Sequence, residues 1–258
     1  MSLPRFYLAP ADWESAAPVL AGEEAHHGAE VLRLRAGDGV VVFDGQGCSA
    51  EARLVEVTKR RIALQIITCL PPLPPRPRIT LAQAIPKGKT MEWIIEKATE
   101  LGVAEIVPLL TDRTIVRLDA AEAARKQQKW QRIALEACKQ CGQNWLPVVH
   151  EPLAIPSWLA AAPTAELRLI AALTPAAQPL QTWLSTLPER PQSACVLVGP
   201  EGDFTPAEME LALTTGFLPL TMGTIILRAE TAAIYALSIL SHELNFTAQP
   251  GLSPPRAY

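Results

Sequence analysis

No apolar run in the chain approaches the roughly 18 residues that a membrane-crossing helix requires. The longest, such as Leu169 to Leu173 and Ile225 to Leu227, are far shorter, so no span is predicted. The N-terminus, Met1-Ser2-Leu3-Pro4-Arg5-Phe6, lacks a basic segment followed by an apolar core and a small-residue cleavage site. It does not read as a secretory signal, and a cytoplasmic location is expected. Cysteine is sparse: Cys48, Cys69, Cys138, Cys141 and Cys195 are odd in number and scattered, which argues against a disulfide framework. Cys138-Lys139-Gln140-Cys141 has the C-x-x-C spacing of redox and zinc sites, but no second pair accompanies it and His150 alone does not complete a zinc shell. The adjacent His26 and His27 point in different directions on one element, so no metal is expected. Neither G-x-x-x-x-G-K-[ST] nor G-x-G-x-x-G occurs, which removes P-loop nucleotidases and nicotinamide enzymes from consideration. Internal repeats and low-complexity tracts are also lacking.

What remains is the composition of a soluble globular protein: 258 residues, 49% hydrophobic, 19% charged, formal net charge −3. That length accommodates one large domain or two unequal ones. The charge is unevenly spread, with nets of 0, +2 and −5 over residues 1–78, 79–150 and 151–258. A near-neutral total does not exclude RNA, because phosphate binding depends on local Lys and Arg clusters.

Between Leu70 and Pro77, prolines at 71, 72, 74, 75 and 77 fix φ and remove backbone donors, so a semi-rigid connector and a domain break are predicted there. Before it, Val40-Val41-Val42-Phe43 and Ile62 to Ile67 are strand-like runs, and Gly37-Asp38-Gly39 and Gly45-Gln46-Gly47 are turn signals, giving a mostly β segment. After it, apolar runs (Ile79 to Ala84, Ile106 to Leu110, Leu167 to Leu173, Cys195 to Val198) alternate with helix-like stretches (Met91 to Leu101, Ala120 to Cys141, Pro206 to Thr215). That alternation predicts an α/β domain with a mainly parallel sheet covered on both faces.

The most informative segment is Cys195-Val196-Leu197-Val198-Gly199-Pro200-Glu201-Gly202-Asp203-Phe204-Thr205-Pro206-Ala207-Glu208, a buried strand running through a glycine loop into a helix. Thr205 is placed to cap the helix, Pro206 suits its first position, Glu208 completes a capping box, Phe204 is placed to staple to Met209, and Gly216 supplies a stop. Ligands of open α/β sheets bind where such a loop leaves a strand's carboxyl end; a tight turn using glycine only for its φ is the alternative reading. A second segment, Leu220 to Ile234, leads from an irregular stretch into an Ala-rich amphipathic helix with a stripe of Ile234, Leu237 and Leu240. Arg228 and Glu230 precede that helix, where by themselves they read as surface or capping residues.

Taken together, G-P-E-G-[GD]-[FL]-[ST] and, about 20 residues later, G-x-x-I-L-R-x-E-T-A resemble the C-terminal signature of the RsmE family, bacterial methyltransferases acting on N3 of a 16S ribosomal RNA uridine. The resemblance extends to Pro4-Arg5-Phe6, His27 through Val31-Leu32-Arg33-Leu34, Pro86-Lys87-Gly88, Lys97 to Val103, and Gln140-Cys141-Gly142 with Asn144 and Pro147. It implies a PUA-like RNA-binding β-barrel over residues 1–72, a SPOUT (trefoil-knotted) α/β methyltransferase domain over 73–250 and a tail over 251–258. It also implies a homodimer and a bound S-adenosylmethionine, contacted by Leu173-Thr174, Gly199-Pro200-Glu201-Gly202 and Met222-Gly223 through Ile226-Leu227 to Thr231-Ala232, with Leu197 among its apolar walls. Arg228 and Glu230 are the expected catalytic pair. Arg5, Phe6, His26, His27, Arg33, Lys87, Arg113, Gln140 and Asn144 are the expected contacts to RNA, with Arg35, Lys89 and Arg117 as further basic candidates.

Three positions depart from the commonest family pattern: Asp203 where a third loop glycine often stands, Lys139 where Glu is frequent and Gln143 where Arg is frequent. The rival readings are a SPOUT enzyme with another RNA target and a non-catalytic RNA-binding ribosome assembly factor.

Overall fold

The computed structural model of the chain describes residues 3–13, 18–70, 77–161 and 164–245. The proline-rich connector at 71–76 and the tail at 251–258 lie outside the described residues. Two compact units emerge: one takes in the described residues up to Leu70 together with Cys138–Leu146, the other the remainder.

In the first unit the chain runs through β1 (Arg5–Tyr7), α1 (Pro10–Trp13), β2 (Val19–Ala21), α2 (Gly22–His26), a π-helical turn (His27–Val31), β3 (Gly39–Phe43), β4 (Ser49–Val57) and β5 (Arg61–Leu70). The strands form one sheet in the order β1-β3-β4-β5-β2. Only the β1–β3 pair is parallel. Strand β4 shows why it forms: Ala50, Ala52 and Leu54 are buried and alternate with exposed Glu51, Arg53 and Val55, the period of a half-buried strand. Its inward residues join Phe6, Leu8, Leu20, Val40, Val42 and Ile62 in one core. Gly45 and Gly47, at φ of 75° and 103°, make the turn from β3 to β4 that the glycine spacing predicts.

The second unit alternates strand and helix: β6 (Arg78–Ala84), α3 (Thr90–Glu100), β7 (Glu105–Leu110), α4 (Ala120–Cys141), β8 (Val148–Val149), β9 (Leu153–Ala154), α5 (Ile155–Ala160), β10 (Leu167–Ala171), α6 (Leu180–Ser185), β11 (Ser193–Val198), α7 (Pro206–Thr214), β12 (Leu218–Leu220) and α8 (Ala229–Asn245). Every pairing in its sheet is parallel, in the order β12-β10-β11-β6-β7-β8, with β9 also on β7. The central strands are buried nearly end to end, as expected for a sheet covered on both faces.

Helix α7 follows its sequence signals closely. Thr205 Oγ1 accepts from the Glu208 backbone N–H at 3.3 Å while Glu208 Oε2 accepts from the Thr205 backbone N–H at 2.8 Å, a complete capping box. At the other end Gly216 is left-handed at φ 88°, with Gly216 N bonded to Leu213 O and Phe217 N to Ala212 O, which is a Schellman stop. Helix α8 is amphipathic in a different way from the predicted stripe. Leu237 and Leu240 are buried, but Ile234 is only half-buried and the small Ala232, Ala233 and Ala236 fill the inner face. Small side chains let α8 lie close over β6, β11 and α3. The chain therefore leaves edge strand β12 and returns to the middle of the sheet, and the segment 221–228 that makes this return builds one wall of the site.

Candidate active site

A cleft of about 270 Å³ opens at the carboxyl ends of β10 and β11. Three loops converge on it because parallel strands all deliver their carboxyl ends to one edge. Ala171, Ala172 and Leu173 come from the end of β10; Val198, Gly199, Pro200, Glu201 and Asp203 from the end of β11; Met222, Gly223 and Ile225 to Ala229, with Ala232, from the return segment and the first turn of α8. The lining is apolar apart from Glu201, Asp203, Arg228 and backbone groups, the composition of a small-molecule site with few orienting polar groups.

Most of the residues predicted for a cofactor meet here. Leu173, Gly199, Pro200, Glu201, Met222, Gly223, Ile226, Leu227 and Ala232 line the cleft, whereas Thr174, Leu197, Gly202 and Thr231 do not. Leu197 is a correction with a plain cause. Successive strand residues face opposite ways, so Val198 reaches the cleft and Leu197 enters the core with Ile170, Phe204 and Phe217. Gly202 is instead covered by the aliphatic stem of Arg113, whose Cδ would lie 3.4 Å from an added Cβ. Ala171, Ala172, Val198, Asp203 and Ala229 also line the cleft without having been predicted, and the first three were accessible through the rule that ligands sit at strand carboxyl ends.

The glycine loop is held from several sides. Asp203 N donates to Pro200 O at 2.9 Å, closing a turn. Below the loop, the fully buried Gln83 of β6 donates from Nε2 to Ala84 O at 2.9 Å and to Gly199 O at 3.5 Å. The Glu201 carboxylate accepts from the Lys87 backbone N–H at 2.9 Å, joining the glycine loop to the Pro86-Lys87-Gly88 loop after β6. Glu208 does more than cap. Its other oxygen accepts from Asp112 N at 2.8 Å, so a buried carboxylate ties the start of α7 to the loop after β7.

Arg228 lines the cleft and is exposed, and Glu230 lies in the first turn of α8. Among the described residues neither side chain has a hydrogen-bonding partner; Arg228 is open to the cleft, whereas Glu230 is not part of its lining.

The residues predicted to meet RNA separate into two groups. His26, Arg33, Lys87 and Gln140 are exposed, as are Arg35, Lys89 and Arg117. Phe6 is not: at 0% exposure it is a core side chain of the first unit and offers no ring face to a base. His27 is half-buried with its ring edge-on to Phe6, centroids 6.1 Å apart. Asn144 is buried, its Nδ2 donating to Ser49 Oγ at 2.9 Å and its Oδ1 accepting from Arg5 Nη2 at 2.5 Å. Arg5 also lies over the Phe43 ring, 4.9 Å from its centroid, so Arg5 and Asn144 work as an internal tie within the first unit. Arg113 is turned onto backbone carbonyls at Gly202 and Phe204.

The three departures acquire physical readings. Asp203 sits at φ 59°, in the left-handed region where glycine is the unstrained residue, and its Oδ1 accepts from Phe204 N at 2.8 Å, a local bond that suits Asp to such a position. Lys139 is nearly buried against the Glu24 carboxylate, whose second oxygen accepts from Tyr7 N at 3.1 Å. Gln143 accepts at its Oε1 from Asn144 N at 3.2 Å. In the C-x-x-C segment, burial pushes the Cys138 thiol up to about 12 and its Sγ lies 3.7 Å from Trp145 O, the surroundings of a structural cysteine. Among the described residues no group of three His, Cys, Asp or Glu side chains is arranged to hold a metal.

Comparison with known proteins decides the family. A profile described as RNA methyltransferase domain matches residues 74–241, and one described as RNA methyltransferase PUA domain matches 20–67. The chain belongs to the RsmE family of RNA methyltransferases. It is 31% identical over 229 residues to Ribosomal RNA small subunit methyltransferase E of Bacillus subtilis, covering 87% of this chain and 89% of that one. To the Synechocystis protein of the same name it is 34% identical over 244 residues, covering 91% and 76%. Among solved structures, the Neisseria gonorrhoeae Ribosomal RNA small subunit methyltransferase E bound to S-adenosyl methionine superposes with a TM-score of 0.85 at 32% identity, covering 95% of this chain and 100% of that one. A putative methyltransferase of Legionella pneumophila in complex with bound cofactor gives 0.86 at 33% identity, covering 94% and 98%. The RsmE-type architecture, an α/β SPOUT domain with an N-terminal PUA-like unit, accounts for the return of α8 from the sheet edge to its centre.

Proposed function

We propose that this chain is an S-adenosylmethionine-dependent methyltransferase that modifies N3 of a uridine in 16S ribosomal RNA. The observation that carries the reading is the cleft itself: glycine-rich and apolar walls from three strand-end loops, with Arg228 on its lining and Glu230 two residues further on, in the first turn of α8. The residues present suit the cofactor. A Cβ on Gly199 would come within 3.2 Å of Asp203 Oδ1 and 3.3 Å of the Phe204 ring, so glycine keeps the backbone open there without pushing either neighbour aside. Leu173, Met222, Ile226 and Leu227 supply apolar surface for an adenine, and Glu201 and Asp203 supply negative charge for a cationic ligand. When bound, S-adenosylmethionine supplies an electrophilic methyl group on a sulfonium centre.

The chain's own task is then orientation and charge. Uracil N3 carries a weakly acidic proton on the Watson–Crick edge, so the base must be unpaired before it can react. The Arg228 guanidinium stabilises negative charge developing on the uracil carbonyls as N3–H is lost. Glu230 orients the base or accepts that proton. Exposed Arg33, Lys87, Lys89 and Arg117 supply phosphate contacts, and His26 a ring for an unpaired base. A homodimer is part of the proposal. Helices α3 and α8, which pack on each other, leave Trp93 and Tyr235 exposed at 44% and 45%. A ribosomal RNA substrate also places the enzyme in the cytoplasm.

The test is incubation of the protein and S-adenosylmethionine with small ribosomal subunits lacking the modification, followed by mass-spectrometric mapping. N3-methyluridine at one site is the expected product, and a different methylated nucleotide would keep the fold and overturn the target. Arg228→Ala is expected to lower the single-turnover rate about 100-fold or more with cofactor affinity intact; an unchanged rate would remove Arg228 from the chemistry.

A further inference from the structure

The glycine loop contains one residue in a conformation that costs an L-amino acid energy, and one distant side chain is built around it. Asp203, left-handed at φ 59°, lines the cleft. Arg113 lies about ninety positions away in sequence, on the loop after β7, and its Nη1 donates to Gly202 O at 2.5 Å and to Phe204 O at 3.2 Å. A single charged nitrogen thus bridges the carbonyls on either side of the strained residue. Arg113 is itself delivered by a rigid turn. Thr111 and Thr114 are buried, with Thr111 N donating to Thr114 Oγ1 at 3.2 Å and the two hydroxyls 2.9 Å apart. Between them, Asp112 N is fixed on Glu208 at 2.8 Å.

We propose that Arg113 is a positioning residue of the cofactor site, which holds the Gly199–Asp203 loop in its cleft-lining form, and that its importance arises from the Asp at 203. The bond to Gly202 O restricts the peptide plane that precedes Asp203, the bond to Phe204 O restricts the plane that follows Phe204, and Phe204 N on Asp203 Oδ1 holds the plane between them, which is what a left-handed Asp needs and a glycine needs less. The proposal rests on the reading of the cleft as an S-adenosylmethionine site.

The experiment is a double-mutant cycle in the full-length protein, with the S-adenosylmethionine Kd of wild type, Arg113→Ala, Asp203→Gly and the double variant measured by calorimetry on samples shown by circular dichroism to be folded. Arg113→Ala is expected to weaken binding about tenfold in the wild-type background, the loss typical of a hydrogen bond from a charged donor. In the Asp203→Gly background the same change is expected to cost less than about threefold, so the two effects do not add. Equal losses in both backgrounds would overturn the proposal. If Arg113→Ala does not fold, Arg113→Gln, which retains one donor group, is run through the same cycle against the same criterion. The slope of RNA affinity against salt is expected to stay at its wild-type value in Arg113→Ala; a fall of about 0.7, the contribution of one phosphate contact on a single strand, would return Arg113 to the RNA surface. Absence of S-adenosylmethionine binding by the wild type would instead overturn the cofactor reading on which the proposal stands.

Discussion

Removing the Glu208 carboxylate tests how the site is held together. In Glu208→Ala three donors lose their acceptor: Asp112 N at 2.8 Å, Thr205 N at 2.8 Å and Thr205 Oγ1 at 3.0 Å. The Thr205 hydroxyl is free to rotate to another partner, so two backbone N–H groups carry the cost. The acceptor they share is buried, at 5% exposure, whereas Thr205 is half-buried and Asp112 exposed, so water offsets part of the loss. Unsatisfied donors cost about 1–3 kcal/mol each, less where water reaches them, while the Thr205 cap on the backbone N–H of residue 208 is kept, so a total of about 2–4 kcal/mol is expected. At roughly 2–4 °C per kcal/mol for a unit of this size, Tm falls by roughly 5–15 °C. Differential scanning calorimetry reads the shift, and cofactor titration below the transition reads the effect on the loop that α7 supports. Glu208→Gln, which keeps one oxygen but presents an NH₂ to a donor, is expected to fall in between. A Glu208→Ala melt within about 2 °C of wild type would refute the reasoning that this carboxylate is a tie between the two loops.

Phe6→Ala is expected to cost about 3–5 kcal/mol of stability, as for a fully buried aromatic, and to leave the salt dependence of RNA binding unchanged; chemical denaturation and filter binding separate the two effects. Arg33→Ala combined with Lys87→Ala is expected to lower that salt slope by roughly 1–2 with S-adenosylmethionine affinity intact, and an unchanged slope would dismiss both residues as phosphate contacts. Glu105 is held at about 2, well below its usual 4.5, chiefly by its hydrogen bond with His150 and also by Arg78. A depressed folded-state value means that this contribution to stability is complete above the unfolded value and fades as pH falls from about 4.5 toward 2. Acid titrations of wild type and Glu105→Gln are expected to diverge above that window and converge below it.

The order of strands and helices in the second unit was legible because a two-face-covered parallel sheet requires largely apolar strands, and Ile79 to Ala84, interrupted only by Thr80 and Gln83, and Cys195 to Val198 are such runs. The start and stop of α7 were legible for a similar reason. Capping boxes and Schellman glycines act over four to six residues, so Thr205, Glu208 and Gly216 carry their instructions locally. The glycine loop and Arg228 also stood out in the sequence, since ligand chemistry concentrated them in two short motifs. Burial of individual polar and aromatic side chains did not. Phe6, Arg5 and Asn144 look like surface groups in a linear reading, and only the closing of the first unit's sheet put Phe6 in its core and set Asn144 between Ser49 and Arg5. The same holds for Arg113 and the second role of Glu208, whose partners lie about ninety or more positions along the chain. Periodicity and local motifs encode which residues turn inward within an element. Which loops face each other across a strand edge is decided by the order in which strands add to the sheet, and that order is a property of the whole chain.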